Sequence, residues 1–219
     1  MNHRTAADRP YRTRIKFCGI TRPQDAARAV ALGVDLLGFV LVPASPRAVS
    51  PKAAEAIRRT LPPGVSSVAL FKDADAATID VALQQFTPDW LQFHGGELPE
   101  DCAVWGRPWV KAVAMKGGAD LVALAARYAG AGALLLDGHA PGAMGGSGET
   151  FDWGAVDRGV TMPLIVAGGL HPDNVAEAIR VARPYAVDVS SGIESRPGIK
   201  DSGKMADFVA AVSAAGAIG

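Results

Sequence analysis

The chain has 219 residues, 49% hydrophobic and 20% charged, which fits a soluble globular protein of one large domain or two small ones. Lys plus Arg and Asp plus Glu both number 22, so the formal charge is zero and no whole-surface attraction to nucleic acid is expected. No apolar run approaches the roughly 18 residues of a membrane helix, and the opening residues lack the apolar centre of a secretory signal.

Residues 1–12 are charged and carry no hydrophobic core, so they are expected to form a disordered extension ahead of a domain at 13–219. The two cysteines, Cys18 and Cys102, are expected as free thiols in a reducing cytoplasm, although they are free to pair in principle. From there strand-like and helix-like stretches alternate. Strands are expected at 14–18, 35–42, 65–71, 90–94, 109–115, 133–137, 164–167 and 186–190. Several are nearly continuous apolar runs, the pattern of parallel strands covered on their outer face. Helical patterns lie at 23–32, 51–59, 76–86, 119–128, 172–181 and 204–214, with shorter ones at 98–105 and 151–157. Ser50-Pro51 and His171-Pro172-Asp173 set proline in a first helical turn, where its missing N–H does no harm.

Eight strand–helix units of about 27 residues each leave no room for a second domain. The expected class is therefore α/β, a single (β/α)8 TIM barrel, with an open doubly wound sheet as the alternative. Two strand-to-helix loops are long for such a barrel. One is 42–50, carrying Ser45-Pro46-Arg47. The other is 138–150, with five glycines and one proline, a composition common in lids and anion-binding segments.

The first strand ends in Lys16-Phe17-Cys18-Gly19-Ile20-Thr21. Alternation gives Lys16 and Cys18 one face and Ile15 and Phe17 the other. Cys18 is either a small buried hydrophobe or a reactive thiol at the end of the barrel where chemistry is placed. Strand six ends in Asp137, either a turn cap or an acid facing Cys18 across the mouth. Lys16 is placed either to favour a Cys18 thiolate or to pair with Asp188 lower in the barrel.

Three glycine- or serine-rich turns suit a phosphate. They are Gly145-Gly146-Ser147-Gly148, then Ala167-Gly168-Gly169-Leu170, then Ser190-Ser191-Gly192. The last two follow strands seven and eight, where barrels build phosphate sites from backbone N–H groups. Neither dinucleotide nor ATP fingerprints occur, and His94, His139 and His171 lack metal-ligand spacing, so no cofactor or metal is expected. Gln92 and His94 share the inward face of strand four and are placed to line the pocket. Arg47 is either a fork for a substrate carboxylate or a solvated loop residue.

Together these segments resemble the phosphoribosylanthranilate isomerase family. The resemblance rests on Lys16 to Thr21, Gly38-Phe39-Val40 with Ser45-Pro46-Arg47, Leu91-Gln92-Phe93-His94-Gly95, and Leu135-Leu136-Asp137. It extends through Gly145 to Gly148, Phe151-Asp152-Trp153, Ala167 to Leu170, Asp188 to Glu194, and Pro197-Gly198-Ile199-Lys200-Asp201. It covers the chain from about Arg14 onward and departs at Ser147, where threonine is expected. It implies a cofactor-independent Amadori rearrangement of a phosphosugar, with Asp137 as general acid and Cys18 as general base. It further implies that Arg47 holds the anthranilate carboxylate and that the turns after strands seven and eight hold the phosphate. Monomer and homodimer both stay open. Two other readings compete: a Schiff-base aldolase using Lys16 or Lys111, and a non-catalytic phosphosugar-binding protein.

Overall fold

Eight strands pair side by side in the computed structural model, which describes residues 12–138, 150–157 and 159–216. They are β1 (Arg14–Cys18), β2 (Leu36–Val40), β3 (Ser66–Phe71), β4 (Trp90–Phe93), β5 (Trp109–Ala114), β6 (Ala133–Asp137), β7 (Leu164–Val166) and β8 (Ala186–Val189). Every neighbouring pair is parallel, and β8 pairs back onto β1, so the sheet closes without an edge. This is the expected (β/α)8 barrel and not an open sheet.

Outward side chains form the main core against α1 (Pro23–Ala31), α2 (Pro51–Arg58), α3 (Ala76–Gln85), α4 (Pro99–Ala103), α5 (Leu121–Arg127), α6 (Val175–Ala182) and α7 (Ser202–Gly216). Phe17 meets Phe208 of α7 edge-on at 6.0 Å, and Phe39 meets Phe86 at 5.5 Å. Such pairs add about 0.5–1.5 kcal/mol beyond the area they bury. Inward side chains fill the interior, because an eight-stranded barrel is just wide enough for them to meet. Val110, Ala112, Ala133, Leu135, Ile165, Ala167 and Ala186 form a separate cluster inside the ring. Cys18, Val40 and Leu70 form another.

The helix starts follow the caps. Ser50 Oγ accepts from Ala53 N at 3.2 Å, Asp75 from Thr78 N at 2.7 Å, and Asp120 from Ala123 N at 2.9 Å. The Asp120 cap is why α5 begins two residues later than the sequence pattern suggests. α6 begins three residues late because Asn174 accepts from His171 N at 2.8 Å and donates to Gly169 O at 3.0 Å, holding 171–174 as a turn. Residues 98–105 supply only the short α4, and 151–157 only a 3₁₀ turn at Trp153–Ala155 in place of a helix. A second 3₁₀ turn at Ser191–Ile193 leads into an unexpected hairpin of β9 (Glu194–Arg196) and β10 (Ile199–Lys200). Several strands end a residue early by pairing, yet His94 N still bonds Phe71 O at 2.9 Å and Ala167 N bonds Leu136 O at 2.8 Å. No helix among the described residues is long and apolar enough to cross a membrane. The expected extension at 1–12, apart from Arg12, and most of the loop at 138–150 lie outside the described residues.

Candidate active site

The barrel's C-terminal mouth holds one cavity to which most of the candidate residues contribute. β1 brings Cys18, β6 brings Asp137, and the segment after β4 brings His94 above Gln92. The loop after β2 brings Ser45 and Arg47. Gly168, Gly169, Ser190 and Ser191 line the side under β7 and β8.

Cys18 is 6% exposed and Asp137 5%, so both reach the cavity from the packed ring. Alternation on β1 sends Lys16 inward as well, and it answers the question left open by the sequence. Lys16 Nζ donates to Asp188 Oδ1 at 2.9 Å across the β1–β8 register, where the two residues are direct partners. Its charge also acts on the Cys18 thiol two residues along the same face. Burial pulls the Lys16 ammonium down, but Asp188 and Cys18 together outweigh it and the group stays charged more firmly than an ordinary lysine. Burial pushes the Cys18 thiol up; Lys16 opposes that push without cancelling it. The cation expected to favour the thiolate is in place, yet the thiol holds its proton above the ordinary range.

Space for this arrangement comes from Gly38, which pairs with Cys18 in the β1–β2 register. A Cβ there would lie 2.9 Å from Cys18 Sγ and 3.1 Å from Lys16 Nζ. Opposite, His94 Nε2 stands 3.4 Å from Asp137 Oδ2, and Gln92 Nε2 stands 3.3 Å from His94 Nδ1. An amide nitrogen can only donate, so in that orientation Gln92 donates to His94 Nδ1 while Nε2 faces the Asp137 carboxylate. The Gln92 Oε1 is buried and accepts no hydrogen bond from the described residues.

The two turns expected to hold phosphate differ in construction. Gly168 and Gly169 take φ of +77° and +61°, which side-chain-bearing residues rarely adopt. Gly192 does not line the cavity. Its missing Cβ instead lets the 190–192 turn close on the Leu170 carbonyl, which joins the two turns. Gly146 lies outside the described residues.

Arg47 is no solvated loop residue. Its side chain is 11% exposed, and its fork is engaged by Glu194: Nε and Nη2 donate to the two carboxylate oxygens at 2.8 Å each. Lys200 Nζ bonds Glu194 Oε1 at 3.0 Å and Ser190 O at 3.0 Å. Burial pushes Glu194 up, but Arg47 and Lys200 outweigh it and hold the carboxyl below the usual range. The sequence reading assigned no role to Glu194, Lys200 or Lys72, although all three belong to the mouth or brace it. An acid and a base six residues apart around Pro197-Gly198 were the available sign of a charged hairpin. Lys111 faces away from the cavity, bonded to Gly95 O at 2.6 Å and Glu97 Oε2 at 2.8 Å, which removes it as a Schiff-base candidate.

Comparison with known proteins places the whole barrel in one family. The family model described as N-(5'phosphoribosyl)anthranilate (PRA) isomerase matches residues 15–211. A curated N-(5'-phosphoribosyl)anthranilate isomerase of Nitrosococcus oceani is 50% identical over 201 residues, covering 92% of this chain and 98% of that one. The crystal structure of phosphoribosyl anthranilate isomerase from Thermus thermophilus superposes with a TM-score of 0.84 at 38% identity, covering 92% of this chain and 99% of the other. A phosphoribosyl anthranilate isomerase in complex with reduced 1-(o-carboxyphenylamino)-1-deoxyribulose 5-phosphate gives a TM-score of 0.81 at 35% identity, with the same coverage.

Proposed function

Because the chain belongs to the N-(5'-phosphoribosyl)anthranilate isomerase family, we propose that Cys18 and Asp137 are the base and acid of its Amadori rearrangement. The chain is accordingly a phosphoribosylanthranilate isomerase of tryptophan biosynthesis. One observation carries the assignment of roles: the Cys18 thiol and the Asp137 carboxyl, each buried, open into one cavity beside two glycine- and serine-rich turns.

The substrate is a cyclic aminoaldose. Asp137 delivers a proton to the furanose ring oxygen, the C1–O bond breaks, and the nitrogen lone pair forms a protonated Schiff base. Cys18 then takes the proton from C2, leaving an enolamine that tautomerises to the aminoketose. Lys16 acts on the base by stabilising the thiolate that must form, against the burial that disfavours it. His94 holds the carboxyl in place from the side and, with Gln92, lines the pocket floor. The buried Gln92 Oε1 is an acceptor that a sugar hydroxyl would satisfy. Backbone N–H groups of the turns at Gly168–Gly169 and Ser190–Ser191, closed behind by Gly192, take the phosphate, and Gly146 is assigned to the same end of the substrate. Arg47 takes the anthranilate carboxylate.

The test is fluorescence decay of phosphoribosylanthranilate on purified protein, run beside Cys18→Ala. Loss of one general base lowers kcat by about 10²–10⁴-fold. A folded Cys18→Ala protein with near-wild-type kcat would remove Cys18 from the base role. Borohydride trapping with substrate separates this reading from an aldolase, because no enzyme-linked imine forms.

A further inference from the structure

We infer that Glu194 is a positioning residue for substrate recognition: it grips one edge of the Arg47 guanidinium and aims the other edge at the anthranilate carboxylate. The inference rests on the reading that Arg47 meets that carboxylate. A guanidinium has two edges that can each grip a carboxylate with two parallel N–H bonds. Glu194 occupies the edge formed by Nε and Nη2, with both bonds at 2.8 Å. What remains for a ligand is the end of the fork, at Nη1 and the second Nη2 proton.

Glu194 is fixed too firmly to act as a stand-in that swings away when substrate arrives. It is 7% exposed, and Oε1 also accepts from Lys200 Nζ at 3.0 Å and from Gly198 N at 3.2 Å. Its own carbonyl accepts from Lys204 Nζ at 2.8 Å. The arginine is confined from the other side. A Cβ on Gly19 would lie 2.7 Å from Arg47 Cδ, so the arginine stem runs directly over a position that only glycine leaves open. The formal charges of Arg47, Glu194 and Lys200 sum to plus one, so the cluster still attracts an anion with Glu194 in place. Charge alone would favour removing Glu194, so the weakening expected of Glu194→Gln comes from lost aim of the guanidinium. Lys200 also bonds the carbonyl of Ser190, which ties the carboxylate fork to the turn assigned to phosphate.

The test compares two non-isomerisable ligands by calorimetry: the reduced product analogue, and the same molecule with phenyl in place of carboxyphenyl. In the wild type the carboxylated ligand should bind more tightly, and Arg47→Leu should erase that difference. If Arg47→Leu leaves the difference intact, the carboxylate reading itself fails. Given that it holds, Glu194→Gln should weaken the carboxylated ligand at least tenfold while changing the other by less than threefold, with Glu194→Asp restoring part of the loss. Equal weakening of both ligands would show a structural role only, and tighter binding of the carboxylated one would show an inhibitory stand-in; either overturns the inference. Should Glu194→Gln fold poorly, the double variant Arg47→Leu/Glu194→Gln removes the unmatched guanidinium and keeps an amide oxygen for Lys200. It should bind the carboxylated ligand no more weakly than Arg47→Leu alone, and an additional tenfold loss would refute the coupling.

Discussion

Gly38→Ala tests whether the position of the Cys18 sulfur sets the rate. The added Cβ would lie 2.9 Å from Sγ, 3.1 Å from Lys16 Nζ and 3.2 Å from Cys18 Cα. Ordinary carbon contacts lie at about 3.5–4.0 Å, so these atoms must separate by several tenths of an ångström. The backbone Cα belongs to a paired strand and Nζ is held by Asp188, which leaves the thiol as the part that yields most easily. Overpacking of this kind costs about 1–3 kcal/mol. For a chain of this size each kcal/mol lowers Tm by about 2–4 °C, so a fall of about 2–12 °C is expected. A reacting group displaced by around 1 Å loses about 10²-fold in rate, and a smaller shift loses less, so the single-turnover rate should drop about 10–100-fold. Affinity for the reduced product analogue should change little, because its phosphate contacts are assigned to other strands. Calorimetric melting, rapid-mixing fluorescence and equilibrium binding read the three quantities separately. A lowered Tm with a single-turnover rate within twofold of wild type would refute the reasoning, since the sulfur would have moved without consequence.

Asp137→Asn preserves the shape beside His94 but supplies no proton, so turnover should fall about 10²–10⁴-fold while the reduced product analogue still binds; an equal loss of affinity would make Asp137 a binding residue. Alkaline stability follows from the buried thiols. Burial pushes Cys102 up to about 12 and raises Cys18 as well, whereas unfolded thiols titrate near 8.5. The folded chain therefore holds these protons more tightly, and their stabilising contribution, complete below about pH 8.5, is lost as pH rises toward the folded values. Cys102→Ala should flatten the decline of the urea midpoint between about pH 8.5 and 11; an unchanged slope would show that the thiol does not titrate on unfolding.

Much of this was legible in the sequence, and what was hidden has physical reasons. β1 and β6 are short strands in which the backbone's period of two fixes the faces of Cys18 and Asp137, so two ends of the chemistry could be read from alternation alone. The hairpin of β9 and β10 has no such period. Glu194-Ser195-Arg196-Pro197-Gly198-Ile199-Lys200 is mostly polar, and it is held by an internal pair of Lys200 with Glu194 and by a second, to Arg47, that forms only once the loop after β2 is folded beside it. The residue type of Arg47 was enough to suggest a fork, but its internal partner is 147 residues away. Lys16 shows why alternatives stayed open: the same ammonium serves both Asp188 and Cys18, so the choice between them was not a real one. How far burial outweighs that ammonium at the thiol depends on packing from every strand, which no local pattern encodes.

The seam between β1 and β8 has a consequence for when the protein becomes active. Lys16 bonds Asp188, and Ser190 Oγ donates to the Cys18 carbonyl at 3.1 Å, each across 172 residues of chain. Contacts of such separation must meet the entropy of closing a very long loop before they return any stabilisation. Partial barrels can gather helices and several strands during synthesis, yet the thiol then has neither its ammonium's counterion nor the turn that abuts it. Catalysis therefore requires the far end of the chain, and a chain released before β8 is made should be inert however much of its secondary structure has formed.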